Sequence, residues 1–428
     1  MRVLADVLGD LSAHPRAVPW RLRLHPTWGA AGSVREYVVF APALGRSVWP
    51  VLARAHNASL LFNPAAIELV CPVPEGELEP VLGRVRSIHR IPFVVAPAPV
   101  EPGVRLDLPS VDRPLLRPAG QGLALGLDIG GTSMKVVALE GEAVVGSAGG
   151  PSWPEGAFGI DSLVSRARDL VLEAAAGRPI GSLGIGLAAP LGVGGQVLEL
   201  STILRERVGD GEAFVGFAER VSAGIVDGPV ALFNDLSNLG RHLSSTGSRR
   251  LVRLQIGTSF GGCWIDADGE VVATEMGRLV VDVGPDAIPH TYLPIAGAMR
   301  TCLSNVGVAH MLAAAGVVVD PKDSGRALRH ALEAGEPAGL ATVDRMVEAM
   351  VGVIRELAAL LVGVSAVECG GSMLQGPTGR VLESRVSDLA PLPFRVSSRP
   401  GEDGAIAAAL APRVSAPLRG LRRIGGST

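Results

Sequence analysis

The stretch 123–148, LALGLDIGGTSMKVVALEGEAVVGSA, reads as a buried strand, a glycine turn, a second strand, a polar turn and a third strand. Its first run is apolar at almost every position, the pattern of a strand covered on both faces. The stretch 251–274, LVRLQIGTSFGGCWIDADGEVVAT, repeats that order: apolar strand, Gly/Thr turn, strand, polar turn, strand. Two such units, starting near Leu125 and Leu251, predict a duplicated α/β architecture.

The chemistry of the turns follows from their residues. In Asp128-Ile129-Gly130-Gly131-Thr132 the glycines let the backbone come close to a ligand and aim N–H groups at phosphate oxygens, and Thr132 adds a hydroxyl. Asp128, at the strand end, suits a Mg²⁺ ion reached through water better than a phosphate. Lys135, on the outgoing strand, either reaches a phosphate or covers the sheet edge. Gly257-Thr258-Ser259-Phe260-Gly261-Gly262 has the same composition in the second unit. Either turn alone reads equally well as a tight β-hairpin, and neither is a G-x-x-x-x-G-K-[ST] or a strand–GxGxxG–helix element. Their matching places favour two turns that clamp a nucleotide's phosphates across a cleft.

Outward from these turns, 161–177 has helical apolar spacing, 180–192 is a buried strand entering a turn, and PVALFND (229–235) is a strand that runs into the helix LSNLGRHLSS. Asn234-Asp235 lies at that junction, where a carboxylate reads either as a helix cap or as a proton acceptor at the foot of a cleft. SAVECGG (365–371) is another strand, and GEDGAIAAALA (401–411) a closing helix of small residues. The organisation expected is an N-terminal unit at 1–95, a Pro-rich linker at 96–121, a first lobe at 122–240 and a second lobe at 241–428. In the N-terminal unit REYVVFAP, ASLLFNP and IELVCPV read as strands, and SVWPVLARAH and ELEPVLGRVRSI as short helices, which makes a small α/β or α+β domain.

Composition narrows the classes. Residues 1–120 hold 13 arginines, no lysine and 10 acids, so they are only weakly basic and scattered, and the whole chain has a net charge of −3. That is no electrostatic footprint for nucleic acid or an anionic membrane. The hydrophobic fraction, 47%, suits a large core, but no apolar run is long enough to span a bilayer, and MRVLADVLGD is not a signal peptide. Cys71, Cys263, Cys302 and Cys369 form no C-x-x-C pair, which argues against a structural zinc or a disulfide framework and suits a reducing, cytoplasmic setting.

Taken in order, these segments resemble the ROK sugar kinases of the actin/hexokinase/Hsp70 superfamily. DIGGTSMK is similar to that family's first phosphate motif, AAPLGVGGQV to its Pro-Gly turn, FNDLSNLG to its catalytic Asn-Asp segment and QIGTSFGG to its second phosphate motif. TEMGR is similar to its Glu-x-Gly-His sugar motif, VECGGSM to its adenosine-side glycines and DGAIAAAL to its closing helix. The resemblance implies a two-lobed actin-like fold built from duplicated ribonuclease H-like units. It implies ATP and Mg²⁺, a sugar-like acceptor such as an amino sugar, cyclitol or acidic sugar, and a homodimer. Asp235 would be the base, Asn234 and Glu275 would hold acceptor hydroxyls, Gly130, Gly131, Thr132, Gly257 and Thr258 would bind phosphates, and Gly370 and Gly371 would approach the adenosine. The same family includes transcriptional regulators and sugar sensors with an N-terminal extension, the alternative reading, although no helix–turn–helix pattern is present in the first 120 residues.

Three departures bear on the acceptor. Arg278 stands where the family has its sugar-motif His, the Cys-rich zinc loop is missing around Cys302, and Ser304 stands where a Glu is usual. No zinc is expected, and Cys302 reads as a small buried apolar residue. Arg278 either meets an anionic acceptor bidentately or pairs with Asp282 or Asp286. His290, in a Pro-flanked loop, reads as a loop or core residue.

Overall fold

The N-terminal unit begins with helix α1 (Leu4–Ser12), strands β1 (Ala17–His25) and β2 (Arg35–Pro42), and helix α2 (Gly45–Phe62). Strands β3 (Ala66–Val70) and β4 (Phe93–Ala96) complete a sheet of order β2-β1-β3-β4. The computed structural model describes residues 1–25, 35–42, 45–62, 66–71, 73, 78–79, 82, 93–96, 122–131, 133–153, 156, 158–189, 191, 197, 200, 202–290, 293–398, 403–410 and 418–419.

Residues 58–62, expected in a strand, instead complete α2, because VLARAHNASLLF is buried nearly all round between its own unit and the second lobe. Pro50 lies in the second turn of α2, where it forfeits a single i→i−4 hydrogen bond that tertiary packing offsets. The strand over 17–25, which the sequence reading missed, is the centre of this sheet. Most of the expected helix ELEPVLGRVRSI and of the linker falls outside the described residues.

The duplication is present strand for strand. The first lobe has β5 (Leu123–Ile129), β6 (Ser133–Glu140), β7 (Ala143–Pro151), β8 (Ile180–Leu187) and β9 (Val230–Asn234), in the order β7-β6-β5-β8-β9. The second has β10 (Leu251–Ile256), β11 (Phe260–Ile265), β12 (Val271–Thr274), β13 (Ala366–Gly370) and β14 (Phe394–Val396), with β15 (Leu418–Arg419) added at the edge, in the order β14-β13-β10-β11-β12-β15. In each lobe the first three strands form an antiparallel meander, and the next two add in parallel beside the first strand. Crossover segments rich in helix make those parallel connections, among them α3 (Gly159–Ala175) in the first lobe and α5 (Pro337–Leu360) in the second. Helix α4 (Asp235–Ser245) leaves β9 directly.

The closing helix α6 (Asp403–Leu410) follows the second lobe in sequence but packs on the first lobe's sheet, with Ala405 and Ala409 against Ala124, Val137 and Leu139. Its small residues permit this close approach, and Gly126 on β5 makes room for it. A Cβ at Gly126 would fall 1.9 Å from the carbonyl oxygen of Ala405 and 2.3 Å from the nitrogen of Ala409. Backbone atoms cannot step aside as a side-chain tip can, so Gly126→Ala is expected to cost about 1–3 kcal/mol. The measurement is a denaturant midpoint, and an unchanged midpoint would show that α6 does not sit this tightly.

One hydrophobic core runs from the N-terminal unit into the second lobe, joining Leu52, Leu61 and Leu69 to Val280, Leu357 and Met350. The edge of Phe62 meets Trp264, with ring centroids 6.5 Å apart, and the Tyr37 hydroxyl donates to the Leu360 carbonyl at 2.8 Å. The first lobe keeps its own core between its sheet and α3.

Candidate active site

Asp235 is the first residue of α4, and Asn234 is its N-cap. The Asn234 side-chain oxygen accepts from the Ser237 backbone N–H at 3.0 Å and from the Ser237 hydroxyl at 3.1 Å. Its amide nitrogen donates to the Ala189 carbonyl at 3.1 Å. Cap and candidate base are therefore two residues, and Asp235 is spared the capping role. Capping engages both lone pairs of the Asn234 oxygen, so Asn234 has only an N–H left to offer an acceptor.

The Asp235 carboxylate accepts from the Leu236 N–H at 2.8 Å. Burial, then the negative charge of Asp128, raises its pKa to about 8, with Glu275 adding to the rise. Asp128, at the end of β5, is raised to about 6 by burial, and Lys135, its ladder partner on β6, holds it lower than it would otherwise be. Asp128 and Gly186 are register partners on β5 and β8, and a Cβ at Gly186 would touch Asp235. Two half-buried carboxylates thus lie together, and the charge of Asp128 makes the ionisation of Asp235 harder.

The N-terminus of α6 reaches the same place. A Cβ at Gly404 would fall 2.6 Å from an Asp128 carboxylate oxygen. Next to it, Asp403 accepts from Arg253 of β10, whose guanidinium also bonds Glu368 of β13. Arg253 is completely buried, and it lies against Gly370, where a Cβ would be 2.0 Å from its Nη2. Gly370 therefore makes room for an arginine. Gly371 adopts φ +109°, and a Cβ there would fall 1.9 Å from the Ile256 carbonyl oxygen, so only glycine fits this turn.

The two glycine turns lie as expected, between β5 and β6 and between β10 and β11. Gly130 closes its turn by an N–H to the Ser133 carbonyl at 3.0 Å, and Gly257 does so to Ser259 at 2.9 Å. A Cβ at Gly257 would sit 4.0 Å from the Ser372 hydroxyl, so the second turn borders the Gly370-Gly371 bend. Gly261 points toward α4, with Leu236 Cδ1 2.4 Å from where a Cβ would be. Gly131 and Thr258 lie in the turns themselves, and Thr132 falls outside the described residues.

Glu275 precedes a short 3-10 turn (Met276–Arg278), and Arg278 Nε lies 3.6 Å from its carboxylate. The partner expected among Asp282 and Asp286 is thus Glu275 instead. Asp282 is occupied elsewhere, accepting from the N–H groups of Arg2 and Gly284, each at 2.9 Å. Arg278 is buried, and its charge, after burial and Arg300, depresses the pKa of His290 to about 3. His290 accepts from the Leu293 N–H at 3.3 Å, as a loop histidine would. Ser304 caps the helix Asn305–Ala314, accepting from the Gly307 N–H. Cys302 is half-buried, its thiol pushed up to about 11 by desolvation.

No family model matches the chain, and no curated protein matches it. Solved structures do. The ROK-family glucokinase of Streptomyces griseus, solved with glucose and AMPPNP, superposes with a TM-score of 0.54 at 20% identity, covering 68% of this chain and 100% of that one. The fold is that of the ROK kinases. The Lmo2764 protein of Listeria monocytogenes superposes with a TM-score of 0.51 at 14% identity, over 68% of this chain and 98% of its own. On this ROK fold, the residues that sequence reasoning missed are Arg253, Gly404, His56 and Asn57. Arg253 and Gly404 sit inside quoted motifs, but no local pattern marks them, because their partners lie more than 100 residues away. Among the described residues no helix is long and apolar enough to cross a membrane.

Proposed function

We propose that this chain is an ATP-dependent kinase that transfers the γ-phosphoryl group to a hydroxyl of a sugar-like acceptor, with Asp235 as the base. The observation that carries this is a half-buried carboxylate with its pKa raised to about 8, at the strand–helix junction beside Asp128 and the second strand–turn–strand unit. A base poised near neutrality is matched to taking a proton in the transition state and releasing it afterwards.

The acceptor O–H proton would pass to Asp235 as the acceptor oxygen bonds the γ-phosphorus, and the β–γ bridging bond breaks with its electron pair leaving on ADP. The turn backbones at Gly131 and Thr258 would hold the phosphates, Gly130 and Gly257 shaping the turns whose closing N–H bonds they supply, with Lys135 beside the first turn. Mg²⁺ brought with ATP fits this site, since desolvation raises Asp128 to about 6 and, with the charge of Asp128, Asp235 to about 8, and a cation would relieve both. Asp128 and Asp235 would hold it through water, and it would neutralise developing phosphate charge. Glu275 and Asn234 would orient the acceptor hydroxyls.

The regulator reading wants a separate N-terminal DNA-binding module. The N-terminal sheet instead shares its core with the second lobe, which supports the kinase over the regulator. The test is ADP release with D-glucose, D-glucosamine, myo-inositol and D-glucuronate as acceptors. Specific operator binding with no turnover on any acceptor would favour the regulator.

The Glu275–Arg278 pair bears on the acceptor's charge. An arginine already facing a carboxylate is a poor anion trap and a good orienter of that carboxylate. Arg278→Ala is therefore expected to raise KM for neutral and acidic acceptors alike, by about fivefold, the scale of one ion pair. A loss confined to D-glucuronate would restore the reading of an anionic acceptor.

A further inference from the structure

The segment that carries the acceptor residues is bonded along its length by the N-terminal unit. His56 lies within α2, is fully buried, and its Nε2 is 3.0 Å from the Arg278 carbonyl oxygen. A carbonyl only accepts, so Nε2 carries the hydrogen. Burial lowers the His56 pKa to about 4, which keeps the ring neutral and the bond short-range in character. Asn57 then clamps Val280 from both sides: its amide donates to the Val280 carbonyl at 2.8 Å, and its oxygen accepts from the Val280 N–H at 2.8 Å.

The N-terminal strap continues the pattern. Leu4 N–H donates to the Val281 carbonyl at 2.7 Å, Val283 N–H donates to the Arg2 carbonyl at 2.9 Å, and Val3 bridges Asp282 in antiparallel fashion. The clamp is itself anchored. Asn57 donates to Glu356 of α5 at 3.2 Å, and Arg54 grips the same buried carboxylate with Nε at 3.2 Å and Nη2 at 2.6 Å. Glu275 and Arg278 sit on the turn immediately before this bonded segment. An enzyme site is only as well placed as the shell that supports it, and a shift of about 1 Å costs on the order of a hundredfold in rate.

We propose that the N-terminal unit is a built-in brace of the acceptor pocket, with His56 and Asn57 as positioning residues that fix Glu275 and Arg278. The inference rests on the kinase reading. It assigns acceptor affinity, and not nucleotide affinity, to contacts made by a unit that lies more than 200 residues earlier in the chain.

The experiment measures KM for ATP and for the best acceptor of the four-compound panel in the full-length chain, together with amide hydrogen exchange over 276–283. His56→Phe keeps a buried ring and deletes the donor, and His56→Gln restores a donor. Asn57→Leu removes both arms of the clamp. Tyr37→Phe serves as the control, since it removes an interface hydrogen bond to Leu360 and touches none of this segment.

The expected result is faster exchange at 276–283 and an acceptor KM raised at least tenfold in His56→Phe and Asn57→Leu. ATP KM should stay within twofold, His56→Gln should recover most of the loss, and Tyr37→Phe should behave as wild type. An acceptor KM that is unmoved, or that rises in step with ATP KM, in soluble folded variants overturns the brace. Should one variant fail to fold, the other variant and the Gln rescue still decide. A wild-type chain inert toward all four acceptors is a different failure: it overturns the kinase reading and takes the brace's role in acceptor affinity with it.

Discussion

Asp235→Asn is expected to abolish phosphoryl transfer and, at pH 8, to make the protein more stable than wild type. The amide matches the carboxylate in shape and can still accept from the Leu236 N–H, so the strand–helix junction should survive. What is lost is the proton acceptor, and removal of a general base typically costs 10²–10⁴-fold in rate. ADP release with acceptor present should therefore fall by about a thousandfold, with ATP binding retained.

The stability effect follows from the raised pKa. Asp235 takes up its proton at about 8 in the folded chain, against about 3.9 for an unfolded aspartate. Between those values the folded state binds more protons, so stability is full below about pH 4 and is lost as pH rises toward 8. Asparagine carries no such penalty. The melting temperature of Asp235→Asn should thus pull ahead of wild type steadily from pH 5 to pH 8, over a slope near pH 6 from Asp128 that both proteins share. Parallel melting curves across that range would mean that the two carboxylates do not lie together, and turnover that survives the change would remove Asp235 as the base.

Arg253→Met is the second large effect. Arg253 is completely buried and bonds Glu368 of the second lobe and Asp403 at the start of the helix laid on the first lobe. Methionine fills the space but leaves two carboxylates without it, of which Glu368 keeps the Arg395 guanidinium. Breaking a buried pair from one side typically costs about 3–5 kcal/mol. A urea midpoint should record it, and Arg253→Lys should recover little, because a compact ammonium cannot reach both carboxylates as a planar fork can. Gly404 lies against Asp128, so a loosened α6 should also raise KM for ATP. A small loss of stability with unchanged ATP affinity would show that the lobes are joined elsewhere.

Much of this protein is legible in neighbouring residues. The strand–turn–strand runs at 123–148 and 251–274 announce two copies of one sheet, and the sheets have matching strand orders. The strand-to-helix junction at Asn234-Asp235 is equally plain, although its two side chains divide the cap and candidate-base roles in a way that only hydrogen-bond geometry reveals. Misreadings arose where local preference and tertiary context disagree. Leu60, Leu61 and Phe62 look like strand residues, yet they end a helix that the shared core surrounds on nearly every side. Arg278 had three carboxylates within reach in sequence, and the short turn at Met276–Arg278 folds it back onto Glu275 while the chain terminus occupies Asp282.

The sequence by itself determined the two opening units, their glycine turns and the carboxylates Asp128 and Asp235, because strand period, turn chemistry and motif order are written within a few dozen residues. Only the tertiary structure decided that Asp128 and Asp235 lie together, that Arg253 bonds both the second sheet and the helix laid on the first, and that His56 and Asn57 bond the segment at Arg278 and Val280. Those facts depend on desolvation and on hydrogen bonds between residues about 100 to 220 positions apart, and such distances leave no period in the chain for a reader to find.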